Sequence, residues 1–219
     1  MQVTLVGRGN YLRRALFLLD SKGVVLLMGP SGIGKTALCD VIAEGWRSKG
    51  GRVVEVRGTQ GLQGIAFGAL TLSLHVELGN SNAETLAKVT SSLAGGDSPA
   101  MVVVDDTHLL DPESAAVVSG LAQVTDIALV MAITSGESVS SDITSVWARW
   151  PDSRIDVESL GRDDVARLMT NLVGGPLDEE TLDEIFALTL GYPLYVTAIA
   201  AELADRRSGS SPDSTVTME

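Results

Sequence analysis

The residues best suited to chemistry in this sequence are Gly29-Pro30-Ser31-Gly32-Ile33-Gly34-Lys35-Thr36. Glycines at this spacing let a short loop turn tightly enough to aim several backbone N–H groups at one point, and such a nest of donors attracts phosphate. Lys35 adds an ammonium that can reach the outer phosphates of a nucleotide, and Thr36 offers a hydroxyl to Mg²⁺. A helix beginning at Thr36, with Ala37 in its first turn, would turn its positive end toward the same anion. The expected ligands of the loop are therefore ATP or ADP with Mg²⁺, and Lys35 is a candidate for both binding and catalysis.

A second group follows at Met101-Val102-Val103-Val104-Asp105-Asp106. An apolar strand would deliver Asp105 to its carboxyl end beside the phosphate loop. There its carboxylate could hold the shell of Mg²⁺ together with Thr36. Asp106, one residue on, could polarise an attacking water as a general base. A strand ending in an ordinary capping aspartate would look the same on its own; the phosphate loop upstream is what favours the metal-binding reading.

The flanking pattern supplies elements to position both groups. Val24–Met28, Val53–Val56, Met101–Val104, Ile127–Ile133 and Arg154–Val157 are short apolar runs of strand type. Between them, Tyr11–Ser21, Thr36–Arg47, Leu70–Leu78, Ala83–Leu93 and Pro112–Gln123 carry helical spacing, with Asp111 before Pro112 as a cap and first-turn pair. Gly58–Gly68 reads as a loop. After Gly161 only helical patterns remain, at Val165–Leu172, Leu182–Leu190 and Leu194–Leu203. The expected fold class is α/β: a P-loop parallel sheet flanked by helices, with a small C-terminal helical lid. Residues 1–158 would form the nucleotide-binding core, 159–207 the lid, and 208–219, rich in Ser, Thr, Pro and Asp, a disordered tail.

Composition narrows the partners. The chain has 219 residues and a net charge of −12, a poor match for nucleic acid or an anionic membrane surface, both of which attract cations. No apolar run approaches the roughly 20 residues that span a bilayer. The first apolar stretch is broken by Arg8, Arg13, Arg14 and Asp20, so no secretory leader is expected and the protein is placed in the cytoplasm. The single cysteine, Cys39, falls in an apolar helical pattern and reads as a buried core thiol.

Taken in order, Leu5-Val6-Gly7-Arg8, the phosphate loop, Asp105-Asp106-Thr107-His108-Leu109-Leu110-Asp111 and Gly191-Tyr192-Pro193-Leu194 resemble the signal-transduction ATPases with numerous domains, a branch close to the AAA+ ATPases. Within that branch the chain is most similar to the ATPase module of large LuxR-type transcription regulators, over roughly Val3–Arg207. The resemblance implies that Val6 and Arg8 lie near the adenine and that Pro193, from the lid, closes over the nucleotide. It also implies that the chain is an excised or truncated module of a longer regulator, whose further domains it would contact, with self-association as a further expectation and no direct DNA binding by this part. One departure matters. Relatives commonly carry an arginine near the γ-phosphate after the fourth strand, where this chain has Thr134-Ser135. A hydroxyl brings no charge, so hydrolysis is expected to be weak.

The leading reading is thus an ATP-binding regulatory switch with slow ATPase activity. The alternatives are a free-standing P-loop ATPase or small-molecule kinase, and an interaction scaffold that keeps nucleotide for stability. A kinase lid is usually basic, whereas the helix here carries Asp178, Glu179, Glu180, Asp183 and Glu184. His108 reads as a structural residue of its loop, His75 has no nameable partner, and Trp147 and Trp150 read as packing residues.

Overall fold

The computed structural model describes residues 5–74, 78–95, 98–124 and 126–208. They form two compact units that divide between Glu158 and Ser159.

The first unit is built on five parallel strands, β1 (Val24–Gly29), β2 (Arg52–Arg57), β3 (Ala100–Asp105), β4 (Ile127–Thr134) and β5 (Arg154–Asp156), in the order β2-β3-β4-β1-β5. β1 and β3 are buried at every residue, as their unbroken apolar sequences require, and β2 at the edge is largely accessible. Because all strands run one way, Gly29, Arg57, Asp105 and Thr134 come out along one rim of the sheet. Loops leaving that rim are where open parallel sheets bind ligands.

Helices cover both faces. On one side α1 (Gly9–Lys22) and α2 (Lys35–Ser48) lie against the strands. On the other lie α3 (Gly68–Ser73), α4 (Asn82–Ala94), α5 (Pro112–Leu121) and α6 (Ser141–Arg149). There Leu26, Met28, Val102, Val104, Leu129, Met131 and Ile133 meet Val117, Val118, Leu121, Ile143 and Val146 in a continuous core. Local signals agree with these elements. Ser81 caps α4 by accepting from the Glu84 amide at 3.2 Å, and Asp111 caps α5 ahead of Pro112.

Two sequence expectations are corrected here. The helix expected over residues 70–78 is a six-residue turn of helix ending at Ser73, with Leu74 already extended. Thr71 and Ser73 bond back to the carbonyls of Phe67 and Ala69, a competing arrangement that weakens short helices. Residues 75–77, including His75, lie outside the described residues. Helix α6 is absent from the sequence expectations. Its apolar positions Ile143, Val146 and Trp147 have helical spacing, but nine residues give too short a pattern to stand out until the sheet buries it.

The second unit comprises α7 (Arg162–Val173), α8 (Glu179–Thr189) and α9 (Pro193–Ser208) around Leu160, Val165, Met169, Leu182, Ile185 and Val196. Asp178 caps α8 through the Thr181 amide at 2.8 Å, and Arg162 bridges to Glu179 and Asp183. Gly191 turns α8 into α9 at φ 73°, with the Leu160 carbonyl occupying the space a side chain would need. Of the tail expected over residues 208–219, Ser208 is instead the last residue of α9, and 209–219 lie outside the described residues. Among the described residues no helix is long and apolar enough to cross a membrane.

Candidate functional site

The loop after β1 and the end of β3 meet on the sheet rim. Gly34, at φ 98°, turns the chain into α2 in a conformation that would strain any L side chain. Fourteen residues of helix then run away from the loop, leaving their positive end facing it. Lys35 is almost fully buried, and its ammonium donates to the carbonyls of Gly29 at 2.9 Å and Pro30 at 3.0 Å. The side chain thus folds back over the loop it belongs to. Burial lowers its pKa, while the nearby carboxylates of Asp106 and Asp105 pull it back up.

Thr36 donates its hydroxyl to Asp105 Oδ2 at 2.8 Å, across 69 residues of sequence. A hydroxyl and a carboxylate held this close are the oxygen donors a hard divalent cation takes, alongside water and phosphate. The residues present therefore fit a Mg²⁺–nucleotide: an anion-seeking loop, a cation inside it, and an oxygen pair at its mouth. The other Asp105 oxygen accepts from the Asp106 amide at 3.0 Å, which fixes the carboxylate's rotation. Asp106 itself has a left-handed backbone, φ 48° and ψ 46°, uncommon outside glycine and asparagine. That conformation turns its half-buried carboxylate out of line with the strand.

Arg8 and Tyr11 brace the loop from behind. The buried Arg8 guanidinium donates to the Ile33 carbonyl at 2.8 Å and the Glu158 carbonyl at 2.6 Å, and stacks over the Tyr11 ring at 5.4 Å. The Tyr11 hydroxyl accepts from the Glu158 amide at 3.3 Å. Val157 donates to the Met28 carbonyl at 2.6 Å, and its own carbonyl oxygen would stand 2.7 Å from a Cβ on Gly29. Arg8 thus reaches the loop through backbone carbonyls, a connection its sequence position does not reveal. Val6 is half-buried just upstream, and Pro193 belongs to the second unit, as the first residue of α9.

Three contacts lie outside the sequence expectations. Asp111 is fully buried and accepts from the amides of Phe67 at 2.9 Å, Ala69 at 3.1 Å and Ser114 at 2.9 Å, so it ties α3 to α5 as well as capping α5. Arg57, at the end of β2, lies beside both Asp105 and Asp106. Gly58, next in sequence, has no room for a side chain: an added Cβ would stand 2.3 Å from the Asp106 carbonyl. A hint exists for the last two, since Arg57-Gly58 closes the strand that precedes the acidic one.

The remaining sequence candidates fall as follows. Thr134 ends β4 in register with Gly29, and the Ser135 amide donates to the Gly29 carbonyl at 3.0 Å, so this pair does lie beside the loop. His108 Nδ1 is buried without a hydrogen-bond partner among the described residues, while its backbone carbonyl accepts from Gln63. Cys39 is buried, and burial pushes its thiol pKa up, which keeps it protonated and inert. Trp147 and Trp150 pack against the core with Arg154 and Arg149 over their rings.

Against known proteins, the model of one family, the AAA ATPase domain, matches residues 4–133. No curated protein matches the sequence. Among solved structures, a mutant RuvB of Thermotoga maritima superposes with a TM-score of 0.63 at 14% identity, covering 93% of this chain and 64% of that one. Cdc6p of Pyrobaculum aerophilum gives 0.64 at 19%, covering 92% and 63%. The Orc1 protein of Aeropyrum pernix, in complex with DNA, gives 0.63 at 18%, covering 93% and 61%. This chain thus spans less than two thirds of the length of each. At such identities the likeness is one of fold.

Proposed function

The chain belongs to the AAA ATPase domain family, and from that premise we propose that it is a nucleotide-operated switch: it binds ATP or ADP with Mg²⁺ and hydrolyses ATP slowly. The observation that carries this reading is the Thr36 hydroxyl held 2.8 Å from Asp105 Oδ2 at the mouth of the loop that encloses Lys35. In this reading the amides of Gly32–Thr36 cradle the phosphates and Lys35 leaves the Gly29 and Pro30 carbonyls for the outer phosphate oxygens. Thr36 and Asp105 would hold Mg²⁺, which would supply positive charge to the phosphates. Asp106 would take the proton of a water whose oxygen bonds to the γ-phosphorus as the bond to ADP breaks, leaving ADP and phosphate.

Slow turnover follows from Thr134 and Ser135. They lie beside the loop, and by the resemblance relatives carry an arginine in this stretch that would stabilise the transferring group; a hydroxyl supplies no such charge. A site that binds nucleotide well and turns it over slowly suits signalling better than metabolism. The order of motifs extends the proposal to the ATPase module of a larger, cytoplasmic LuxR-type transcription regulator, with residues 1–158 as the nucleotide-binding core and 159–207 as a helical lid.

Calorimetric titration with ATP and ADP, with and without Mg²⁺, tests the proposal directly. Both nucleotides should bind, more tightly with Mg²⁺. Lys35→Ala should weaken ATP binding by at least roughly tenfold, because charge-assisted contacts to phosphate are the strongest in such a site. Unchanged affinity in that variant would remove the phosphate loop from the reading.

A further inference from the structure

Arg57 ends the edge strand β2 in register with Asp105. Its Nη2 lies 3.6 Å from Asp106 Oδ2 and 3.9 Å from Asp105 Oδ2. Asp105 Oδ2 is also the atom that accepts the Thr36 hydroxyl, so a single carboxylate oxygen faces the phosphate loop on one side and a guanidinium on the other. The strand order gives these sides their meaning. β2 flanks β3 on the side away from β4 and β1, so Arg57 pulls on the acidic pair in the direction opposite to the loop.

The backbone beneath Arg57 is held firmly. Gly58 donates to the Asp105 carbonyl at 3.0 Å and packs against the Asp106 carbonyl with no room for a side chain. The Arg57 side chain, in contrast, is 65% exposed. An anchored backbone with an exposed guanidinium can leave its partners at little cost, because such pairs are weak in water. Charge explains why it would leave. Lys35 and Arg57, facing Asp105 and Asp106, balance two cations against two anions, and a divalent ion would upset that balance.

We propose that Arg57 is a positioning residue that acts as a built-in counter-cation: it competes with Mg²⁺ for Asp105 and so sets the Mg²⁺ concentration at which the site takes nucleotide. This rests on the reading of Thr36 and Asp105 as the Mg²⁺ ligands. A divalent ion at that oxygen repels a guanidinium 3.9 Å away, so either cation must yield to the other. Arg57 thereby raises the Mg²⁺ concentration at which the site half-fills above what the bare acidic pair would need.

The test is a Mg²⁺ titration of the full chain at a fixed, subsaturating concentration of ADP carrying a methylanthraniloyl fluorophore, at low ionic strength. Arg57→Ala should reach half-maximal binding at roughly threefold to tenfold less Mg²⁺ than wild type, as expected for removing one partly exposed charge near 4 Å. Arg57→Lys, which keeps the charge, should stay near wild type, and a thermal melt without ligand should show both variants folded. An unchanged or raised midpoint in Arg57→Ala, or an equal shift in Arg57→Lys, would overturn the proposal. Asp105→Asn separates the two layers. If wild type responds to Mg²⁺ and Asp105→Asn does not, the metal-binding reading stands whatever Arg57 does. If neither differs, the reading fails and takes the Arg57 proposal with it.

Discussion

Four aspartates near the rim carry one side-chain type and different duties. Asp105 is buried, locked in rotation by the Asp106 amide and bonded to Thr36, which suits a fixed ligand. Asp106 leaves the strand in a strained turn with its carboxylate toward Arg57, which suits a group that must move. Substitution should separate the two. Asp105→Asn should weaken Mg²⁺-dependent binding of nucleotide, since an amide is a poorer ligand for a hard cation. Asp106→Asn should leave binding in place and lower hydrolysis, since an amide is no base; phosphate release measured beside a binding titration reads both. Asp111 touches none of this. It satisfies three backbone amides from within the core. Asp111→Ala should therefore cost roughly 2–4 kcal/mol in a urea melt, the sum expected for a lost cap and orphaned buried donors. Asp40, exposed on α2, has its pKa raised by partial desolvation and then by Glu55 and Asp105.

Between elements, the decisive contact is the one that lets β2 and β3 end side by side. An alanine Cβ at position 58 would lie 2.3 Å from the Asp106 carbonyl and 2.9 Å from the Leu109 carbonyl carbon, both of them backbone. Backbone cannot step aside as a flexible side chain can. Gly58→Ala should thus push the Asp105–Asp106 turn outward, destabilise the fold by roughly 1–3 kcal/mol as overpacking does, and weaken Mg²⁺-dependent nucleotide binding. A Cβ added at Gly61 meets nothing within 4 Å, so Gly61→Ala should stay within roughly 0.5 kcal/mol of wild type and bind normally. Denaturant melts of the two variants, run together, isolate the close approach from the general effect of replacing glycine.

For the molecule as a whole, the balance of charge bears on whether duplex DNA is a partner. The Aeropyrum Orc1 structure contains DNA. Here 28 acidic residues face 16 basic ones. Binding to a duplex depends on cations that displace its counterions. The isolated chain should therefore show no sequence-specific shift of duplex DNA in a gel at physiological salt, with or without nucleotide, and a specific complex would contradict this view.

Much of this was set out in the order of residues. The phosphate loop needs no distant partner to be recognised, because its chemistry depends on consecutive amides and the lysine and threonine that follow them. The strands of a parallel sheet buried on both faces declare themselves as unbroken apolar runs, and Ser81, Asp111 and Asp178 mark helix starts through bonds to amides three residues on. What folding alone decided are the relations across the sheet. That Thr36 bonds Asp105, that Arg8 braces Ile33, that Asp111 reaches back to Phe67 and Ala69, and that Arg57 lies beside the acidic pair all depend on strand order and register. No local periodicity encodes which strand ends become neighbours; that is settled only when the apolar faces are buried together and the rim of the sheet brings its residues into reach.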